Sequence, residues 1–507
     1  MPDYMYLLES RLSPEQRATL ERVQELARSQ EMNIYLTGGA VRDLISGQPI
    51  RDLDFTVEGN PVRMVRELEK GGARTLSENE KTRHYEMIFS GDADGSLSAA
   101  RDDVYERPGA KPEYRFAGIM EDLRRRDFSI NAIAISLNVQ SRGLLLDPTN
   151  GLADLERQEV RALSIHAFTN QPVRLLRILR YCARMGFNME SRTQEWFDLA
   201  MERGQQENID SADAGQELRA MSREDNAVPA LKQWEARELL NAIHPQLQRR
   251  KPDYDALNKL SRVRMNFLEV GIRPRLRDAT ALYTLRRLKP REETSILRNL
   301  NYSQAEINAI IDLPDRAHDI VKVLKSRKTE TPRDAYFYLA SLPSEMLAFI
   351  EVEVPDTRAV SKIRNYLQKW RPLRLALPVA ELDALGVPRG PKFDETLEQI
   401  FEKQLRGKGK TPEERTKLLR DLAGIKDEPP KKLEKKRKGK DLAPASLPEV
   451  AAKPGGKASK ASQPPHVAGK TAKTAAAAAQ NKPAAPHKSA ATAASKKAAV
   501  AKKSRGK

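Results

Sequence analysis

The sequence predicts an α+β chain: an N-terminal head around a mixed sheet, an all-α neck and body behind it, and a disordered basic tail. Three observations carry this. Up to about residue 160, short β-type runs (34–36, 85–89, 96–100) are interleaved with helical ones, and Gly91-Asp-Ala-Asp-Gly95 supplies a hairpin turn. From Val160 to about 425, strand signals fade and helix-period patterns broken by Pro and Gly dominate. Residues 427–507 are Lys, Ala and Pro with almost no large apolar side chains, too few to bury the surface a fold requires. The boundaries expected are 1–160 for the head, 161–250 for a helical neck, 251–426 for a helical body and 427–507 for the tail.

Taken in order, Ser13-Pro14-Glu15-Gln16 has the form of a capping box, and Leu20, Val23, Leu26 and Ala27 continue it as an apolar helical stripe. That helix should lead into a buried strand at Ile34-Tyr35-Leu36. Gly38-Gly39 follows, then a helix over 40–45 with Arg42 in its first turn. Glycines at a strand-to-helix junction let backbone amides approach a phosphate, and Arg42 can reach an anion there. Asp52 and Asp54 stand two residues apart, so on a strand both carboxylates share one face, where two hard divalent cations can bridge them. Residues 61–68 read as a helix.

Asp122-Leu-Arg-Arg-Arg-Asp-Phe-Ser-Ile-Asn131 is the second chemical stretch. The forks of Arg125 and Arg126 suit a triphosphate, and Asp127 and Asn131 suit ribose hydroxyls. Between Pro172 and Phe187 an amphipathic helix carries arginines at 174, 177, 180 and 184 opposite Val173, Leu176 and Leu179, with Gly186 as its C-terminal cap. A charged stripe at this spacing is ordinarily a solvated face.

The net charge of +18 is uneven. Twenty Lys/Arg against five Asp/Glu lie from residue 427 onward, so +15 belongs to the tail and a basic surface elsewhere must be a local patch. One cysteine, Cys182, excludes a disulfide framework and suits a reducing compartment. No apolar run is long enough to span a membrane and no leader is recognisable, so a cytoplasmic location without membrane attachment is expected. His318-Asp319 suggests a metal-dependent phosphohydrolase, but six scattered histidines, two in the tail, do not assemble its ligand set.

Gly-Gly-Ala-Val-Arg-Asp followed by Asp-Leu-Asp-Phe resembles the head of the class II nucleotidyltransferases: tRNA CCA-adding enzymes, A-adding enzymes and bacterial poly(A) polymerases. Arg125-Arg126-Asp127-Phe-Ser-Ile-Asn131 and Asp147-Pro-Thr-Asn-Gly151 match the family's later motifs in the right order. The resemblance implies transfer of nucleotides from CTP or ATP to an RNA 3′ end, that of tRNA foremost, with pyrophosphate released. It implies Mg²⁺ at Asp52 and Asp54, phosphate at Gly38, Gly39, Arg42, Arg125 and Arg126, sugar at Asp127 and Asn131, and the base at Gln171 and Arg174, with Arg177 a further nucleotide-binding residue. The family's E-D-x-x-R motif is here Asn170-Gln-Pro-Val-Arg174, with both acids replaced by amides. A third acid is expected on the strand ending at Arg101, but Ser96 stands in its place. Asp94, two residues upstream, is the expected substitute metal ligand, with Gly95 permitting a bulge that turns it inward.

Residues 211–218 match the family's next segment poorly. Residues 379–392, followed by 405–411, resemble the closing segment of tRNA-handling members, and Arg389, Arg406, Lys408 and Lys410 are candidates for RNA phosphate. Two rivals remain: a poly(A) polymerase acting on other RNAs, and an RNA-binding protein with a degraded catalytic head.

Overall fold

Ile34–Thr37 (β1) lies inside a seven-stranded sheet because all four of its residues are buried on both faces. A computed structural model describes residues 3–425. The basic tail, 427–507, lies outside the described residues.

Two helices precede β1, Tyr4–Arg11 (α1) and Pro14–Ser29 (α2), and both halves of the expected capping box form at Ser13 and Gln16. Gly39–Ile45 (α3) follows β1, then Leu53–Val57 (β2) and Val62–Lys70 (α4). Arg74–Asn79 (β3), His84–Ile88 (β4) and Asp94–Ala99 (β5) complete one half of the sheet. Arg101–Val104 (β6) and Glu113–Phe116 (β7) form a separate ribbon that the sequence did not signal. Ile119–Arg124 (α5), Ala134–Ser136 (β8) and Leu145–Leu146 (β9) bring the chain back to the sheet, whose order is β3-β4-β5-β2-β1-β8-β9.

The sheet is mixed: β2 and β5 run parallel, and every other neighbouring pair in it is antiparallel. Their register places Asp54 beside Ser96 and Leu53 beside Gly95. A Cβ on Gly95 would sit 2.2 Å from the Leu53 carbonyl oxygen, so this close approach requires glycine. The expected bulge does not form. The β4–β5 ladder runs regularly from Ile88–Asp94 to His84–Ser98, and the glycine serves strand approach instead.

Beyond the sheet come Gly151–Arg157 (α6), the two-residue strand Glu159–Val160 (β10), Ala167–Asn170 (α7) and Arg174–Met185 (α8). Gly186 ends α8 in the left-handed region at φ +69°, as a C-terminal cap should. Asn188–Met189 (β11) pairs with β10, and from there to Ala423 the described chain is helical. Ser191–Glu202 (α9) packs on α7 through Phe168 and Phe197, while Ser211–Met221 (α10) and Val228–Ala236 (α11) pack on α8. Trp234 is fully buried and its Nε1–H donates to the Leu176 carbonyl at 2.9 Å, fixing α11 on α8. Residues 379–423 gather their own small core around Leu382, Phe393, Ile400 and Leu419. Among the described residues no helix is long and apolar enough to cross a membrane.

Candidate active site

Asp54 meets the Gly38-Gly39 turn at the C-terminal end of β1, and Asp52, just before β2, lines the same cavity. Gly38 has φ +63°, and a Cβ there would stand 3.2 Å from an Arg126 nitrogen and 3.8 Å from Asp54 Oδ2. The turn is therefore a cradle between a carboxylate and a guanidinium, open only because both residues lack side chains. Asp54 accepts a 2.8 Å hydrogen bond from Ser96 Oγ across the β2–β5 pair. Burial first, and the neighbouring Asp52 charge second, push the Asp54 carboxyl up to about 6 against that hydrogen bond. Asp54, whose charge is opposed by burial and by Asp52, and the second hard oxygen donor Asp52 fit a divalent cation.

These residues form one wall of a cavity of about 420 Å³. All ten predicted nucleotide-binding residues, Gly38, Gly39, Arg42, Arg125, Arg126, Asp127, Asn131, Gln171, Arg174 and Arg177, line it. The arginine stripe of α8 faces this cavity and the helices beside it rather than solvent, contrary to the ordinary expectation. Arg174 is 7 % and Arg180 6 % exposed. What allows this is an internal set of acids. Glu217 on α10 accepts from Arg177 at 2.6 Å and Arg180 at 3.0 Å, and Glu224 accepts from Arg180 at 2.8 Å. Arg184 reaches Asp43 on α3 at 2.5 Å. Burial works against the charge of Glu217, yet Arg177 and Arg180 outweigh it and hold the carboxyl below its ordinary range.

Several expected phosphate ligands are tied to protein partners. Arg42 is buried and donates to Asp43 Oδ1 at 3.0 Å and Asn131 Oδ1 at 2.6 Å. Arg126 is held by Asp122 at 2.8 Å, the Asn131 carbonyl at 3.1 Å and Thr56 Oγ1 at 3.2 Å. Arg125 pairs with Asp122 and donates to the Arg101 carbonyl at 2.9 Å. Asp127 accepts from Asn131 and Arg177, both at 3.1 Å. Burial again opposes this carboxylate's charge, but Arg177 and Arg174 keep its pKa below the usual value. Gln171 turns its carbonyl to Arg174 Nε at 3.1 Å and its amide to the Tyr105 hydroxyl at 3.0 Å. Asn170 faces away, accepting from the Gly109 amide at 2.9 Å.

Asp94 lies on the same strand face as Ser96, but Arg275, from the helical region, takes both its oxygens at 3.1 and 3.2 Å. Among the described residues no three His, Cys, Asp or Glu side chains gather as a metal site, so the expected Asp52–Asp54–Asp94 set is not assembled. Asp94 lines a second cavity of about 200 Å³, together with Asp52, Asp54, Ser96 and Glu86. The RNA-phosphate candidates lie elsewhere. Arg389 pairs with Asp383 at 2.6 Å and Arg406 with Glu402 at 2.5 Å, while Lys408 and Lys410 are exposed in the turn after 391–405.

Sequence reading missed Arg223, Glu86, Glu217 and Glu224. Arg223 stands 3.8 Å from Asp52 and 3.6 Å from Glu86. The only early sign of Glu86 is its register position opposite Ser96, which needs the strand pairing to be known.

The Poly A polymerase head domain family matches residues 34–161. An A-adding tRNA nucleotidyltransferase of Geobacter sulfurreducens is 26% identical over 399 residues, covering 78% of this chain and 45% of that protein. One from Halalkalibacterium halodurans is 35% identical over 195 residues, 37% of this chain and 44% of that protein. The chain thus spans under half the length of these curated relatives. A solved CCA-adding enzyme, apo form II, aligns with 84% of this chain and 99% of its own at 24% identity and a TM-score of 0.44. The Gly38-Gly39 cradle, the Asp52/Asp54 pair and the Arg125–Asn131 stretch all lie inside residues 34–161, the part of the chain that matches the Poly A polymerase head domain.

Proposed function

We propose that this chain is a tRNA nucleotidyltransferase that adds A, or CCA, to the tRNA 3′ end from ATP and CTP. The observation that carries the reading is the shared wall: a carboxylate pair at the start of β2 and a glycine cradle open into one arginine-lined cavity. The relatives described as A-adding enzymes support the choice of tRNA over other RNAs.

In this reading the Gly38-Gly39 turn and Arg126 receive the triphosphate at the end of β1, where the α3 N-terminus adds partial positive charge. Asp127 and Asn131 orient the ribose, and Gln171 with Arg174 faces the base. Asp52 and Asp54 would hold Mg²⁺, which when bound neutralises the triphosphate and favours ionisation of the attacking hydroxyl. Ser96 keeps Asp54 in the orientation and charge state that pair requires. Burial of the arginine and acid network excludes water around the phosphates, which strengthens each charge contact.

The test is extension of tRNA transcripts ending before C, CC or CCA, each given one nucleotide and resolved on a gel. Addition of A to a transcript ending in CC is the expected result. ATP-only tailing of RNAs unrelated to tRNA would favour a poly(A) polymerase. No pyrophosphate release with any RNA would leave an RNA-binding protein.

A further inference from the structure

Ten arginines line the larger cavity, and among these described residues nine give at least one guanidinium hydrogen bond to the protein. Arg223 is the exception. Its two ion pairs, 3.8 Å to Asp52 and 3.6 Å to Glu86, are longer than hydrogen bonds, and its side chain is 52 % exposed. Its N–H donors are therefore open to a ligand.

The main chain that bears it is clamped. Arg51, the residue before Asp52, donates to the Arg223 carbonyl at 2.8 Å and pairs with Asp225 at 2.8 Å. Arg264 binds the carbonyls of Ser222 and Glu224, and the Glu224 carboxylate is held by Arg180. Residues 222–225 are thus fastened to the base of β2 from one side and to the helices from the other. The side chain of Arg223 is left directed at the carboxylate pair.

Arg223 also lines both cavities, together with Asp52, Asp54, His84 and Ser96. In-line transfer places the attacking oxygen and the departing pyrophosphate on opposite sides of the reacting phosphorus. With the triphosphate in the larger cavity, the α-phosphate falls at this shared wall.

We infer that Arg223 is a catalytic residue whose guanidinium donates to the non-bridging oxygens of the α-phosphate during nucleotidyl transfer; this rests on the function proposed above. In that step the RNA 3′-oxygen bonds to the α-phosphorus and the bond to the α–β bridging oxygen breaks. Its electron pair leaves with pyrophosphate, and the hydroxyl proton passes to water. Negative charge accumulates on the oxygens that a preorganised guanidinium can meet, and loss of one such donor slows related steps by about 10²–10³-fold.

The experiment compares wild type, Arg223→Gln and Arg223→Lys in adding one A to a tRNA transcript ending in CC. Binding of α,β-methylene-ATP and thermal melting are measured on the same proteins. Arg223→Gln should lower kcat about 100-fold with KM, analogue affinity (within threefold) and melting temperature nearly unchanged. Arg223→Lys, keeping charge without the fork, should fall between the two. Should the Gln variant fail to fold, the Lys variant decides, since an unchanged kcat there overturns the inference. A kcat for Arg223→Gln within threefold of wild type, or analogue affinity falling as far as kcat, also overturns it. A wild-type protein inert on every transcript overturns the functional proposal itself, and this inference with it.

Discussion

Ser96 Oγ donates to Asp54 Oδ1 at 2.8 Å, so a neutral hydroxyl occupies the strand position from which the related pattern supplies an acid. A hydrogen bond to a charged group contributes about 1.5–3 kcal/mol. Ser96→Ala should therefore cut nucleotide addition by roughly tenfold or more at limiting Mg²⁺, with partial recovery as Mg²⁺ is raised. A Mg²⁺ titration of the initial rate measures this, and superimposable curves would remove Ser96 from the site.

Glu217 is buried between Arg177 and Arg180, and among the described residues no other acid pairs with both. Removing one member of a buried ion-paired set leaves charge unpaired and costs about 3–5 kcal/mol. Glu217→Ala should lower the melting temperature by several degrees in a calorimetric scan, far more than Glu207→Ala on the exposed surface.

These two residues show where the sequence was legible. Gly38, Gly39, Asp52 and Asp54 lie within a seventeen-residue stretch, so each motif could be read locally, and the family resemblance joined them into one site. The α8 stripe reads by periodicity as solvated, because the acids that allow its burial come from residues 217 and 224, some forty residues on, the first inside a segment that matched its pattern poorly. Asp94 was placed on the correct strand face, but Arg275 approaches it from 181 residues away, which no local signal announces.

In the proposed function, base choice rests on Gln171. Its carbonyl is directed at Arg174, so a base would be read by a neutral amide rather than a carboxylate. Gln171→Asp should increase the rate ratio of CTP to UTP about fivefold, because a charged acceptor strengthens the contact with an exocyclic amine. A ratio unchanged in single-nucleotide extension would show that position 171 does not read the base.

Glu345 accepts from the Asp278 and Ala279 amides at 2.7 and 2.9 Å, and burial, then the charge of Asp278, push its carboxyl up to about 8. The folded state thus holds its proton longer than the unfolded chain, whose ordinary value is 4.5. The stability from this group is present at low pH and is lost as pH rises through the window from about 4.5 to 8. Glu345→Gln should match wild type near pH 5 and exceed it by on the order of 1–2 kcal/mol at pH 9, a fraction of the full linkage because the residue is only partly buried. Denaturant melts at the two pH values give the difference directly.

The carboxylate pair is the centre of the proposed chemistry, and Asp54→Asn probes it with the least change of shape. The decisive measurement is the rate of single-A addition to a tRNA transcript ending in CC, for wild type and Asp54→Asn, with melting temperatures recorded on the same samples. The prediction is readily measured extension by wild type and a loss on the order of 10³-fold or more in the variant, which keeps its fold because its amide removes charge rather than packing. Comparable extension by a folded Asp54→Asn protein would contradict the assignment of Asp52 and Asp54 as the reacting centre.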